Sequence, residues 1–428
     1  MVFINAELVR NRSVKYIVLS CLFLCNTILF SQPLATGHTK YLGCCIGSPV
    51  PASFDTYWNQ VTPENAGKWG SVETGRDYYD WGGLDMVYNY AIQRNIPFRL
   101  HVLVWGKQQP WWITSLDSTQ QAEEVEEWFR LAGEKCPYAD IVEVVNEAIS
   151  NSYDPYPPYR NAIGGGGETG WDWVIWAFEK ARQYFPNSRL FINEWGTISY
   201  GKSITTYLQI INLLKERNLI DGICEQGHYF SLGTASANTM RTNLDKLAAT
   251  GLPICISEFE VDEADDNTQL RKYKEIFPIL WEHPGVEGIT LWGYRSGMWK
   301  ANGFLERSDG SERPALQWLR EYLASTDVKK SMSPLPASHV LCQNYPNPFN
   351  PTTTIYYSLK KPCNVKMAIH NARGEKVKTL TDSFENVGTH SLIWDATDEE
   401  SNPLASGTYF YRLETEDQIL YKKMLLIR

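Results

Sequence analysis

Two glutamates hold the most suggestive chemistry in this chain. Glu147 follows the apolar, β-prone run Ile141–Asn146, and Glu258 follows the run that starts at Pro253. Each sits where a buried strand opens to the surface. Two carboxyl groups so placed are equipped to hydrolyse a glycosidic bond, which takes one acid to protonate the leaving oxygen and a second carboxylate at the anomeric carbon. Other run ends bring related groups: Thr62-Pro63-Glu64-Asn65 with Lys68 and Trp69, His101 with Trp105, Asn146, Asn193-Glu194-Trp195, Gln226 with His228, Phe259-Glu260, and Trp292. Taken singly, each has a plainer explanation. A strand-end glutamate is commonly a solvated rim residue or an ion-pair partner, His228 alone reads as structural, and Trp292 alone reads as core. Recurrence at successive run ends is what favours sugar chemistry.

Those ends need strands to hold them. From about Lys40 to Ala324, short apolar runs alternate with amphipathic helical stretches. The strand-like runs start at Tyr41, Tyr57, Phe98, Ile141, Arg189, Gly222, Pro253 and Gly288, with the second spanning 57–61 and the third 98–105. Helical periods cover 84–94, 122–135, 171–184, 204–216, 240–249 and 269–281. This alternation is the arithmetic of a (β/α)8 TIM barrel, an α/β fold whose functional side chains project from the C-terminal ends of the strands. Glu147 and Glu258 then end the fourth and seventh strands. These strands are expected to face each other across the barrel and to bring the carboxyls near the roughly 5–5.5 Å separation of a retaining pair. Glu258 is the expected ionised nucleophile, and its charge, with partial burial, is expected to keep Glu147 protonated as the acid. Gly165, Gly167 and Gly170 fit a dinucleotide-binding pattern, but a Pro- and Tyr-rich loop precedes them rather than a strand, so no nucleotide site is inferred.

The chain has 428 residues, more than one ordinary core, and its 43% apolar and 21% charged residues read as globular. A net charge of −9 argues against a nucleic-acid partner. The 16 Trp and 24 Tyr suit either sugar stacking or core filling. Residues 1–31 read as a signal peptide: Arg10, Arg12 and Lys15 precede an apolar run from Tyr16 to Phe30, too short to span a membrane. A secreted or surface-attached protein is the expectation. Cys21 and Cys25 would leave with that segment, and the remaining cysteines show no CxxC pair, so neither a zinc site nor a disulfide framework is indicated.

Several stretches together resemble glycoside hydrolase family 10, whose members are chiefly endo-1,4-β-xylanases. They are Val61-Thr62-Pro63-Glu64-Asn65-Ala66-Gly67-Lys68-Trp69, His101-Val102-Leu103-Val104-Trp105, Val145-Asn146-Glu147, Gln226-Gly227-His228 and Ile256-Ser257-Glu258. The resemblance implies retaining, endo-acting cleavage of xylan, with Glu147 as acid/base and Glu258 as nucleophile. It implies Asn146 at the substrate 2-hydroxyl, and Glu64, Asn65 and Lys68 on the non-reducing side. His101 and Trp105 would wall the reacting sugar, and Trp195 would face the sugar beyond the cleavage point. Gln226 and His228 would contact the nucleophile and its sugar, with His228 and Glu260 orienting the carboxylate, and Trp292 and Trp299 would floor or cover the sugar sites. No metal or organic cofactor is implied, and a monomer is expected. The sequence departs from the family at three places. Gly106 follows Trp105 where a second His is common, Phe259-Glu260 replaces Leu-Asp, and Asn193-Glu194-Trp195 replaces Asn-Asp-Tyr. A β-1,4-glucanase on the same scaffold and a non-catalytic polysaccharide-binding surface protein are the alternatives.

The catalytic domain is read as residues 38–324, and residues 325–340 have the Ser/Pro/Lys composition of a linker. Short alternating strands and turn signals over residues 341–428 point to an antiparallel β-sandwich. Its opening, Asn344-Tyr345-Pro346-Asn347-Pro348-Phe349-Asn350-Pro351, resembles secretion-sorting domains, implying secretion machinery as a partner. The competing reading is a sugar-binding module with Tyr409, Tyr411 and Trp394 as a stacking platform.

Overall fold

The computed structural model describes residues 32–47, 49–149, 155–331, 339–344, 347–385 and 387–428. The segment read as a signal peptide lies outside them. Eight parallel strands form one sheet: β1 (Tyr41–Ile46), β2 (Val61–Pro63), β3 (Arg99–Leu100), β4 (Ile141–Asn146), β5 (Arg189–Glu194), β6 (Gly222–Glu225), β7 (Ile254–Phe259) and β8 (Val286–Leu291). Their order is β2-β1-β8-β7-β6-β5-β4-β3, and a parallel bridge from Val61 to Phe98 closes the sheet into a barrel. Helices α1 (Gly82–Arg94), α2 (Ser118–Lys135), α3 (Asp172–Tyr184), α4 (Gly201–Glu216), α5 (Ala237–Ala248), α6 (Asp266–Trp281) and α7 (Pro314–Ser331) intervene between or follow the strands. The TIM barrel implied by the sequence is the fold observed.

Local chemistry starts these elements. Strands such as Ile141–Asn146 and Ile254–Phe259 are buried at every position, which is why they read as continuous apolar runs rather than alternating ones. Asp117 caps α2 through a reciprocal pair with Gln120, Asp265 caps α6 through Thr268, and Asn95 ends α1 in the left-handed conformation.

Three boundaries differ from the sequence reading. The second strand is Val61–Pro63, because Tyr57 and Trp58 turn their rings onto Tyr294 instead of pairing in the sheet. The third is short: its ladder lapses after Leu100 and resumes where Leu103 and Val104 donate to Glu143 and Val144. The last helix runs on to Ser331, into the segment read as a linker, of which residues 332–338 lie outside the described ones. A polar composition does not separate the last turn of a helix from a coil.

Arg99, with no solvent exposure, spans the barrel interior. Its Nη1 lies 2.5 Å from Glu143 Oε1 on β4, its Nε donates to Thr62 on β2 at 3.0 Å, and its Nη2 donates to the Ser257 carbonyl on β7 at 2.7 Å. One guanidinium thus ties four strands together.

The C-terminal region has a three-stranded and a four-stranded antiparallel sheet. They comprise β9 (Val340–Leu341), β10 (Thr353–Leu359) and β13 (Gly388–Trp394), and β11 (Cys363–Asn371), β12 (Lys376–Glu385), β14 (Gly407–Glu414) and β15 (Ile419–Leu426). Their inner faces share a core containing Ile355, Tyr357, Ile369, Trp394, Tyr409 and Tyr411. Trp394, Tyr409 and Tyr411 are 1%, 7% and 0% exposed, so the sugar-stacking platform is overturned: these rings fill the space between the sheets. Among the described residues, no helix is long and apolar enough to cross a membrane.

Replacing Arg99 by Met should destabilise the barrel by about 3–5 kcal/mol in urea denaturation, because the buried Glu143 loses its guanidinium partner and keeps only His101. An unchanged midpoint would remove the ion pair from this role.

Candidate active site

The strand ends gather the two glutamates without placing their strands opposite each other. In the sheet order, β5 and β6 lie between β4 and β7. This corrects the expectation that the fourth and seventh strands face across the barrel, and side chains from the two intervening strands bridge the gap. Asn193, at the end of β5, donates from Nδ2 to Glu258 Oε1 at 2.8 Å and to Asn146 Oδ1 at 3.0 Å. Gln226, just beyond β6, donates from Nε2 to Glu147 Oε1 at 2.9 Å and to the same Asn146 oxygen at 3.3 Å. Glu258, Asn193, Asn146, Gln226 and Glu147 therefore form one continuous hydrogen-bonded chain. Gln226 was expected on the nucleophile. Its side chain goes to Glu147 instead, and only its backbone carbonyl meets Glu258, accepting from the amide at 2.6 Å.

Glu258 is 4% exposed. Its Oε2 lies 3.3 Å from His228 Nε2, and His228 Nδ1 lies 2.5 Å from Glu260 Oε2. Burial pushes the Glu258 carboxyl up, but the His228 hydrogen bond and the positive charges of His101, His228 and Arg99 outweigh it and bring it down to about 2. Burial likewise works against a charged His228, yet the Glu260 and Glu258 carboxylates raise it to about 10. The imidazolium donates from both nitrogens and holds Glu258 ionised. The extra methylene of Glu260 does not prevent this contact.

Glu147 occupies the left-handed region at φ 55°, a sparsely populated conformation for a side chain of its size. Its amide donates to the Asn193 carbonyl at 2.9 Å, and Oε2 accepts from Trp105 Nε1 at 2.8 Å. Lys107 Nζ stands 3.9 Å from the same oxygen. Oε1 also accepts from Asn146 Nδ2 at 3.4 Å beside Gln226, and the side chain keeps 9% exposure.

The remaining groups surround this pair. Lys68 is buried, donates to Asn65 Oδ1 at 3.0 Å and Gln108 Oε1 at 2.7 Å, and sits 5.0 Å from the Trp105 ring centre. Burial lowers its pKa, against the pull of Glu258 and Glu64, and burial raises that of Glu64. His101 bonds Glu143 and meets the Trp292 ring edge-on at 5.1 Å. Trp299, 48% exposed, tilts over His228 at 5.9 Å. Trp195 packs edge-on against Phe230 at 5.7 Å and Tyr200 at 6.2 Å. A buried anion, a carboxyl facing the rim, and indole faces around them are suited to double displacement at a sugar.

The model of Glycosyl hydrolase family 10 matches residues 35–322. The chain belongs to that family. This family 10 protein is a glycoside hydrolase. It is 38% identical over 284 residues to Endo-1,4-beta-xylanase B of Cellvibrio japonicus, covering 65% of this chain and 45% of that protein. It is 26% identical over 321 residues to Endo-1,4-beta-xylanase A of Caldicellulosiruptor saccharolyticus, covering 66% of this chain and 91% of that one. In fold it resembles native xylanase 10B from Thermotoga maritima, with a TM-score of 0.60 at 24% identity over 69% of this chain and 98% of that one. Residues 350–418 match the FlgD Ig-like domain.

The hydrolase's departure at Gly106 has a steric cause. A Cβ there would lie 1.7 Å from the Pro155 carbonyl oxygen, so the loop at Pro155 and Tyr156 excludes the histidine common in the family. Sequence reasoning passed over the bridging role of Asn193, although its position at a strand end, paired in register with Asn146, was a usable signal. It also passed over Arg99 and Glu143, whose charges inside apolar runs were the clue, and over Gln108 and Phe230, which carried none. Among the described residues, one carboxylate group is close enough to share a cation: Asp77, Glu124 and Glu127, where Arg76 already pairs with Glu124 at 2.5 Å.

The signs of the two shifts define a window. The stabilising contribution of His228 is complete below about pH 6.5 and fades as pH rises through about 10; that of Glu258 is complete above about pH 4.5 and fades as pH falls through about 2. Nitrogen-15 NMR should find His228 protonated at about pH 8 and titrating toward its ordinary range in Glu260→Gln. A neutral imidazole at that pH in the unaltered protein would contradict the assignment.

Proposed function

We propose that this family 10 hydrolase cleaves internal β-1,4 bonds of xylan with retention, using Glu258 as nucleophile and Glu147 as acid/base. The observation that carries the assignment is the asymmetry of the pair: Glu258 is held ionised by His228 and Asn193, while Glu147 faces the rim on a separate set of donors. The names of the relatives support xylan as the substrate.

In the first step a Glu258 oxygen attacks the anomeric carbon, the glycosidic C–O bond breaks, and the Glu147 proton passes to the leaving oxygen. A glycosyl ester on Glu258 results. In the second, Glu147 as carboxylate takes a proton from water, the water oxygen attacks the anomeric carbon, and Glu258 departs as carboxylate, giving net retention. Asn146 is the group for the 2-hydroxyl, and the chain through Asn193 fixes it relative to Glu258. Glu64, Asn65 and Lys68 hold the non-reducing side, His101, Trp105, Trp292 and Trp299 enclose the reacting sugar, and Trp195 faces the sugar beyond it. His228 and Glu260 orient the nucleophile. We further assign export to the N-terminal segment and sorting or surface attachment to the C-terminal sandwich, on the composition of the one and the motif at the start of the other.

Proton NMR of the first turnovers on xylo-oligosaccharides should show the β-anomer, with rates on xylan exceeding those on soluble cellulose. Initial α-anomer overturns the double displacement, and faster cellulose cleavage overturns the substrate. Glu258→Ala should lose at least about 10⁴-fold in kcat with its unfolding transition retained.

A further inference from the structure

Two carboxylates below the rim have no part in the reaction as drawn. Glu194 and Glu225 are in register at the ends of β5 and β6, and they are 2% and 0% exposed. Their partners are backbone N–H groups and one hydroxyl, with no cation in ion-pair contact among the described residues. Glu194 accepts from the Ile149 amide at 3.0 Å on Oε2 and from the Trp195 amide at 3.1 Å on Oε1. Glu225 accepts from the Gly196 amide at 3.1 Å on Oε1, and from the amide of Thr197 at 3.0 Å and its hydroxyl on Oε2. Burying two neighbouring carboxylates without a countercharge is costly, and it is tolerated only where hydrogen bonds satisfy them. Here all four oxygens are satisfied, and apart from the Gly227 amide, which also bonds Glu225, the donors belong to two short segments.

Both segments serve the leaving group. Ile149 lies two residues past Glu147, whose own amide is held by Asn193, the residue before Glu194. The strained turn at Glu147 is thus fastened on both sides to the end of β5. Trp195, Gly196 and Thr197 are consecutive, and the first carries the ring that packs on Phe230 and Tyr200. At Gly196, with φ 70°, a Cβ would come within 2.8 Å of the Tyr200 ring, so the segment turns sharply under that platform.

We propose that Glu194 and Glu225 act as a buried carboxylate clamp, positioning residues that hold the Glu147 loop and the Trp195 segment in one arrangement and so deliver the proton to the leaving oxygen. The inference rests on Glu147 being the leaving-group acid. A displacement of about 1 Å at such a group costs about 100-fold in rate, and only for substrates that need the proton. Burial raises both carboxyls, Glu225 to about 7, in keeping with groups held by local dipoles alone.

The test compares a xylo-oligosaccharide, whose leaving alkoxide needs protonation, with 2,4-dinitrophenyl β-xylobioside, whose phenolate leaves unaided. The first step is read from kcat/KM on the xylo-oligosaccharide and from burst-phase release of dinitrophenolate on the activated substrate. Glu194→Gln and Glu225→Gln should lower kcat/KM on xylohexaose by about 10- to 100-fold while the dinitrophenolate burst rate stays within about threefold. Thr197→Val, which removes one hydroxyl and leaves the carboxylates, should shift xylohexaose in the same direction by about threefold, and it carries the test if the glutamine variants fail to fold. Equal losses on both substrates, or no loss on either, overturn the clamp. Glu147→Ala, run alongside, tests the underlying assignment separately: it should spare the dinitrophenolate burst, and a lost burst there rejects Glu147 as the acid whatever the clamp variants do.

Discussion

Everything at this rim answers to one electrostatic demand, the keeping of an ionised Glu258 inside an apolar barrel. Water solvates such a charge far better than protein does, so the interior must supply the missing field. It does so with the His228 imidazolium, itself held charged by Glu260, and with Arg99, held by Glu143. The proposed catalytic pair therefore sits at the rim end of a buried charge network that reaches four strands. The same guanidinium that stitches the barrel together also helps to depress the Glu258 carboxyl.

The barrel contributes register more than proximity. Parallel strands in a closed sheet present equivalent positions at nearly the same height, so Asn146, Asn193, Gln226 and Glu258 meet as a ring of side chains. Amides suit the two middle positions because each both donates and accepts, so Asn193 takes a bond from Ser257 Oγ while giving two others. Around this ring, Glu194 and Glu225 point their carboxylates at loop amides rather than into the cleft, and the chain thereby uses the same residue type for chemistry and for scaffolding within two adjacent strand ends.

The sandwich resolves an ambiguity that composition left standing. Tyr409 and Tyr411 share a strand face, as two-residue alternation requires, and that face turns inward onto Trp394. The abundance of aromatics thus divides into rings that fill a core, as here, and rings such as Trp299 and Phe230 that remain half-exposed beside the charged pair.

Much of this was decided locally and could be read along the chain. Continuous apolar runs of strand length, alternating with helical periods, determined the barrel; a glutamate at the end of Ile141–Asn146 and another at the end of the seventh run pointed to the proposed reaction, because strand ends open onto the rim whatever the rest of the fold does. Length and polarity misjudged what depends on packing partners: Tyr57 and Trp58 look like strand and are not, and the last helix outlasts its apolar face. Only the tertiary structure decided which side chains meet. That Asn193 bridges the two glutamates, that Gln226 turns to Glu147, that Glu225 is a buried anchor, and that Pro155 forbids a side chain at Gly106 all follow from the order and stagger of strands distant in sequence. No local periodicity encodes that stagger, since it is set by closure of the sheet and the fit of its layers.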